Sequence, residues 1–235
     1  MPSAVPGRII LTDLRLRIHT LKFAVVNRVA AGLLGVFVQL CDMMSKSDDQ
    51  AAIIEATKRW LVSCVIGLNL CPFARAVHKA DRARYFVSTA TMAAELLNDL
   101  QAELRFLEGV SPDEVETTLL IYPYFLDEFL DFNRFLKKAD RLLDSLELGG
   151  VIQIANFHPE FQFADLSSSD VCNYTNRSPY PILHLLREVS VQRAVQSMVD
   201  TDEIYRRNLE TMQKLGLEGW RALTGGSRSQ NEWGG

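Results

Sequence analysis

Polar side chains that could catalyse a reaction or bind a ligand are concentrated between His158 and Glu188. The candidates are His158, Asp170, Asn173, Asn176, Arg177, Ser178, His184 and Glu188. We predict that His158 is an acid–base group or a metal ligand, and that Glu188 is the second catalytic residue, orienting His184 or sharing a metal. The sequence therefore favours a site for a small molecule. The reaction could be metal-assisted hydrolysis or oxidation, or a reaction of an anionic substrate.

An anion site is predicted around Arg177 and Ser178. Ser178 and the proline after it have the pattern of a helix start, and a helix N-terminus presents free N–H groups to an anion. The Arg177 guanidinium could bind a carboxylate or phosphate with two hydrogen bonds, beside Asn173 and Asn176 as further substrate-binding residues. The alternative is that Arg177 only pairs with a nearby aspartate and Ser178 only caps the helix. No glycine-rich phosphate loop accompanies them, so a nucleotide is not indicated.

A metal site is the second possibility. His184 and Glu188 are four residues apart, a spacing that places both on one face of a helix. His158 and Asp170 would complete a set of two histidines and two carboxylates of the kind that binds zinc or iron. The sequence HLLRE is not a recognised zinc motif, however, and such a pair more commonly forms an ordinary hydrogen bond.

Thiol chemistry at Cys71 is the third possibility, with Arg75 or His78 as the group that would stabilise a thiolate. A cysteine between Leu70 and Phe73 is more typical of buried packing. The four cysteines are irregularly spaced and form no CxxC pair. We therefore expect reduced thiols in a cytoplasmic protein.

The overall composition is that of a globular domain and does not indicate a nucleic-acid partner. Of 235 residues, 48% are apolar and 23% charged, which is typical of a globular domain with a sizeable core. The net charge of −4 does not indicate a nucleic-acid binder. An anionic small molecule is the predicted partner.

Periodicity predicts an α/β fold. Strands are expected at residues 84–88, 115–122 and 151–157, with helices from about residue 91 to 109 and from 127 to 146 between them. Two consecutive helical crossovers predict a small parallel or mixed three-stranded sheet, followed by a C-terminal helical segment that starts at Ser178 and ends near Gly216. The third strand ends at His158, and ligands of parallel sheets bind beyond the carboxyl ends of the strands.

The chain ends differ from this domain in composition. Residues 1–44 are rich in arginine and contain an apolar run, which indicates either an N-terminal extension upstream of the true start or a membrane-associating segment. A membrane partner is expected only if that segment is genuine. Residues 45–224 are predicted to form one α/β domain, and residues 225–235 a disordered tail.

Four short motifs resemble a known family. They are GLNLCPFA from Gly67, NFHP from Asn156, NRSPYP from Asn176 and HLLRE from His184. Together they resemble the bacterial family catalogued as domain of unknown function 1415. The resemblance covers residues from about 53 to 215, and it implies a start near Met43 or Met44, but it implies no activity.

A non-catalytic role is the competing interpretation of the same residues. Hydrogen-bonding side chains and prolines in a long loop can lock that loop onto a sheet through buried hydrogen bonds. The protein would then bind or assemble with a partner without performing a reaction.

Overall fold

The computed structural model describes residues 48–196 and 201–224. The chain divides into two units between Ala51 and Ala52, and the fold described below is that of the unit that begins at Ala52. The interpretations given above for residues 1–44 and 225–235 lie outside the described residues. No described helix is long and apolar enough to cross a membrane.

Helices and strands alternate through the first part of this unit. Within this unit α1 is helical over residues 52–60 and continues into a π-helical turn, Leu61–Ile66. The following elements are, in chain order, α2 (Ala74–Lys79), β1 (Ala83–Val87), α3 (Ala93–Gly109), β2 (Thr117–Ile121), α4 (Phe129–Ser145), β3 (Ile152–Phe157), a 3-10 turn (Val171–Thr175), β4 (Ile182–Arg187), α5 (Glu188–Gln196) and α6 (Thr201–Leu223).

The four strands form one mixed sheet in the order β1-β2-β4-β3. β1 and β2 are parallel, and β4 is antiparallel to both of its neighbours. β3 therefore runs in the same direction as β1 and β2, as the two helical crossovers predict. The predicted α/β class with a C-terminal helical segment is confirmed, but the sheet has four strands and not three.

The extra strand, β4, corrects the predicted helix at Ser178. Residues Ile182–Arg187 are extended, and all six are buried in the middle of the sheet. His184 therefore lies on a strand, whereas Glu188 is the first residue of α5. A short apolar run that is buried on both sides has no period-two alternation, so its sequence does not distinguish a strand from a buried helix.

One face of the sheet packs against α3 and α4. Leu120, Leu183 and Leu185 project from this face into a core that contains the buried side chains of both helices. Both crossovers advance along the sheet in the same direction, so right-handed connections place both helices on the same side.

The opposite face packs against α1 and α6. Leu119, Ile121 and Ile182 contact a cluster that includes Trp60 of α1 and Met212 of α6. The predicted helix end near Gly216 agrees with a break in α6 at that residue, after which a second helical stretch continues to Leu223. The backbone bends at Gly216, where a φ of 64° interrupts the helical conformation.

Arg187 joins the end of β4 to the end of α3. Its buried Nη2 donates hydrogen bonds to the carbonyl oxygens of Leu107, Val110 and Val115, at 2.6, 2.7 and 3.3 Å. Leu107 and Val110 lie at the C-terminus of α3, where unpaired carbonyls carry the negative end of the helix dipole. The guanidinium charge is therefore balanced largely by main-chain oxygens.

Gly67 closes the π-helical turn. Its N–H donates to the carbonyl oxygen of Val62, five residues earlier, at 2.9 Å. A Cβ at this position would overlap the carbonyl oxygen of Ser63. Only glycine fits this turn without a backbone shift.

We expect Gly67→Ala to lower the free energy of unfolding by about 1–3 kcal/mol, because the backbone must move to relieve the overlap. Urea denaturation measures the change. Gly109→Ala is the matched control, since a Cβ there meets nothing within 4 Å. Equal stability of the two variants would contradict the steric argument.

Tyr122 has a hydroxyl that is buried without a hydrogen-bond partner among the described residues. We expect Tyr122→Phe to keep or raise the unfolding free energy, by up to about 1 kcal/mol, because the ring packing stays while an unsatisfied polar atom is removed. Thr117→Val is the contrast. It should lower the unfolding free energy, since the Thr117 hydroxyl donates to the carbonyl oxygen of Leu185. A large loss in Tyr122→Phe would show that this hydroxyl has a partner.

Candidate functional site

The carboxyl ends of β1, β2 and β3 lie at one edge of the sheet, because these three strands run in the same direction. Ser88, Tyr122 and His158 each follow one of these strands directly. Residues 158–181, called the polar segment below, begin at this edge after β3 and return to the start of β4. The predicted position of the candidate site thus agrees with the topology.

His158 is fully buried at the start of the polar segment. Its Nδ1 accepts a hydrogen bond from the N–H of Glu160, so the ring proton lies on Nε2, which donates to the carbonyl oxygen of Leu126; both distances are 3.0 Å. The ring packs against Phe129 and Phe132, with centroids 5.4 and 4.9 Å away. Burial lowers the pKa of His158. The side chain is therefore a neutral link between two loops, and neither nitrogen is free.

Asn173 fixes the middle of the polar segment. It is fully buried, its Oδ1 accepts from the N–H of Phe163 at 3.0 Å, and its Nδ2 donates to the carbonyl oxygen of Ser167 at 2.8 Å. Asp170 caps the 3-10 turn by accepting from the N–H of Cys172 at 2.8 Å. Both side chains thus satisfy main-chain groups of their own loop.

Asn176 covers part of the free edge of β3. Its carbonyl oxygen accepts from the N–H of His158 at 3.2 Å, and its Nδ2 donates to the carbonyl oxygen of Asn156 at 3.3 Å. β3 is the last strand in the sheet order, so these main-chain groups point away from β4. Asn176 therefore protects an edge that would otherwise be open to another strand.

Arg177 binds carbonyl oxygens of the polar segment. Nε donates to Phe161 at 3.2 Å and Nη2 to Ser168 at 2.8 Å, while the guanidinium stacks on Tyr174 at 4.2 Å from the ring centre. The Arg177 carbonyl oxygen accepts from the indole N–H of Trp60 at 2.9 Å. Arg177 forms no ion pair with a described aspartate, so the alternative that it only pairs with an aspartate is not supported.

Ser178 does not begin a helix. It lies in an irregular stretch before β4, and its hydroxyl donates to the carbonyl oxygen of Tyr180. The predicted anion site therefore lacks the free N–H groups of a helix N-terminus, and only the Arg177 guanidinium supports it. Substrate binding by Asn173, Asn176, Arg177 and Ser178 stays a prediction.

His184 lies on the opposite side of the sheet from α3 and α4. The Thr117 hydroxyl donates to the carbonyl oxygen of Leu185 and therefore accepts from Nε2 of His184, at 2.7 Å. Burial lowers the pKa of His184 to about 4. The ring also borders a small cavity between α2 and the sheet, together with Phe73 and Leu119. This cavity has room for about one water molecule, which is too little for a substrate.

The predicted metal ligands are not assembled. Among the described residues, no group of three or more His, Cys, Asp and Glu side chains could hold a metal ion. His158 and Asp170 bond to main-chain groups of the polar segment, whereas His184 bonds to Thr117 within the sheet. Glu188 is separated from His184 by the change from β4 to α5, which removes the helical spacing on which their pairing depended.

Cys71 is half-buried beside Phe73, Val77 and Leu186. Burial raises the pKa of its thiol, although N–H groups of Ala74 and Phe73 partly oppose the rise. A raised pKa disfavours the thiolate, which is the nucleophilic form. This environment supports the packing interpretation.

One polar pair at the same edge, Ser88 and Asp99, was not among the predicted site residues. The Ser88 hydroxyl, which is buried, donates to Oδ2 of Asp99 at 2.5 Å and accepts from the N–H of Ala90 at 3.1 Å. Its position directly after β1 was the available signal. The pair connects β1 to α3 and, like the contacts of the polar segment, is satisfied internally.

Comparison with known protein families shows where this chain belongs. The model of the family described as protein of unknown function (DUF1415) matches residues 52–222. The chain belongs to this family. The DUF1415 match includes all four strands and the whole polar segment, which confirms the resemblance stated from the four motifs. No curated protein and no solved structure matches the chain.

The two buried histidines predict a pH dependence of stability. Both have pKa values below 6.5 in the folded chain, so the unfolded chain binds protons more readily as the pH falls below about 6.5. The contribution of the two neutral histidines to stability is therefore fully present above that pH and is lost as the pH falls. For His184 this loss extends from pH 6.5 down to about pH 4, and the unfolding free energy falls by roughly 3 kcal/mol over that range.

Urea denaturation at a series of pH values from neutral to about 4 tests this expectation. His184→Gln is the matched variant, because a glutamine amide can still donate to Thr117 but does not titrate. The difference in unfolding free energy between wild type and variant should change with pH across the window. A difference that is constant with pH would contradict the assignment of His184 as a neutral buried ring.

Proposed function

We propose that this chain is a non-catalytic binding or assembly protein in which the polar segment has a structural role. One observation carries the proposal: the side chains of His158, Asn173, Asn176, Arg177 and Ser178 all bond to carbonyl or N–H groups of the chain's own backbone. A residue that catalyses or binds substrate needs an atom directed at the reactant. Here the polar atoms hold a long loop against the sheet.

The burial of these groups supports the same conclusion. His158 and Asn173 are fully buried, and water does not compete for their partners. A buried polar group stabilises a fold only when its hydrogen bonds are made, and each one that loses its partner is costly. The density of hydrogen-bonding side chains therefore has a sufficient explanation in the architecture of the loop.

An enzyme that acts on an anionic small molecule stays the alternative, with Arg177 as its anchor. The guanidinium is only partly buried, so its Nη1 could reach a ligand while Nε and Nη2 keep their carbonyl partners. A zinc or iron site is not part of the proposal, since the predicted ligands are not assembled. A cytoplasmic location also stays a prediction; it agrees with free thiols at Cys64, Cys71 and Cys172.

Substitutions in the polar segment test the proposal. We expect Asn173→Ala and His158→Ala each to lower the free energy of unfolding by roughly 1–3 kcal/mol or more, because each leaves buried main-chain groups without partners. His158→Asn should retain part of the stability, since its amide oxygen can replace Nδ1 as the acceptor for the N–H of Glu160. His158→Gln should retain a different part, since its amide nitrogen can replace Nε2 as a donor.

Two further measurements separate this role from the enzymatic alternative. Elemental analysis of the purified protein should find no stoichiometric zinc or iron. Titration with inorganic phosphate and citrate should give the same weak or absent response in wild type and in Arg177→Ala. Stoichiometric metal that is lost in His184→Ala with Glu188→Ala, or anion binding that is lost in Arg177→Ala without loss of folding, would overturn the proposal.

A further inference from the structure

The connection between β2 and α4 exposes apolar side chains next to acidic ones. Leu130 is 69% exposed and Tyr124 is 50% exposed. Between them, Asp127 and Glu128 are also exposed. These four residues, called the β2–α4 surface below, lie at the edge where β2 ends and α4 begins. Apolar side chains that are exposed together on one connection can mark an interaction site.

The backbone of this surface is held in an uncommon conformation. Leu126 has a φ of 62°, which is rare for a residue with a branched side chain, and its own side chain is buried. Its carbonyl oxygen accepts the hydrogen bond from Nε2 of His158. Phe129 packs against both His158 and Phe161. Buried Leu126 and half-buried Phe129 thus fix the backbone on both sides of Asp127 and Glu128.

The charge of the surface selects the chemistry of a partner. Asp127 and Glu128 form no ion pair with a described residue, whereas Asp131 is paired with Arg134. Acidic residues near a helix N-terminus also stabilise the helix, which accounts for part of their presence. Helix stabilisation does not account for the exposure of Leu130 and Tyr124. A partner with apolar side chains and positive charges would match both features, whereas nucleic acid and anionic lipid would be repelled.

A second exposed apolar residue occurs on the neighbouring connection. Met92, directly before α3, is 54% exposed. α3 and α4 follow strands of the same direction and pack in one core, so both helices begin at the same edge of the sheet. This is the edge at which α/β sheets commonly bind ligands.

We propose that the β2–α4 surface docks a protein segment that combines apolar side chains with lysine or arginine. The inference rests on the proposed function, since it names the partner class of a binding protein. Leu130 and Tyr124 would supply the apolar contact, and Asp127 and Glu128 would pair with the positive charges. His158 would contribute only by holding Leu126.

Binding of two synthetic peptides tests the proposal. One is an amphipathic peptide of leucine and lysine, and the other has glutamate in place of each lysine. Calorimetry with the full chain at low and moderate salt should show at least about tenfold tighter binding of the lysine peptide, weakening as salt increases. Leu130→Ser with Tyr124→Ser should weaken that binding by about tenfold or more.

The charge contribution requires a matched control, because any acidic protein attracts a cationic peptide. Asp127→Asn with Glu128→Gln should weaken binding severalfold. Asp140→Asn with Asp144→Asn removes the same number of charges from exposed positions on α4 and should leave binding unchanged. All of these positions are exposed, so each variant should fold, and Asp127→Asn with Glu128→Gln should melt only slightly below wild type because it loses favourable charge at the start of α4.

The proposal is overturned if the lysine peptide does not bind, if both charge variants weaken binding equally, or if the apolar variant binds like wild type. These outcomes differ from failure of the proposed function, which would appear as metal or anion binding that depends on His184, Glu188 or Arg177. A chain that passes the stability tests but does not bind the lysine peptide would overturn this inference and leave the structural role of the polar segment intact.

Discussion

The two hydrogen bonds of the His158 ring connect parts of the chain that are far apart in sequence. One nitrogen accepts from the loop that follows β3, and the other donates to the connection between β2 and α4. The neutral ring can do both only because donor and acceptor lie on opposite nitrogens. The polar segment and the β2–α4 connection thereby share one buried anchor, and the exposed residues of that connection take their positions from it.

The sheet could be predicted from sequence wherever hydrophobic periodicity was unambiguous. β1, β2 and β3, with α3 and α4 between them, follow from β-branched and apolar runs that end at glycine, proline or polar residues. β4 could not be predicted in this way, because Ile182–Arg187 is buried on both sides and its spacing also suits a helix. Strand order likewise depends on pairing between distant residues, which no local pattern contains.

The sequence predicted where the polar residues lie in the fold but not which hydrogen bonds they make. His158 does follow a strand at the carboxyl edge, and the polar residues after it do form a compact loop. Residue types alone could not show that their donors and acceptors are consumed by the main chain, since this depends on the path of the loop in space. The link between His158 and Leu126 spans 32 residues, and the link between Arg177 and Trp60 spans 117.

The central place of β4 affects how the chain can fold during synthesis. β2 and β3 do not pair with each other; both pair with β4, which is made last of the four strands. Until residues 182–187 have left the ribosome, β3 has no partner in the sheet. The sheet is then incomplete and cannot separate the core on the α3 and α4 side from the core on the α1 and α6 side. Such a topology delays cooperative folding until most of the domain has been synthesised. Nascent chains that stop before β4 would expose the apolar residues of β2 and β3, making them natural clients for chaperones.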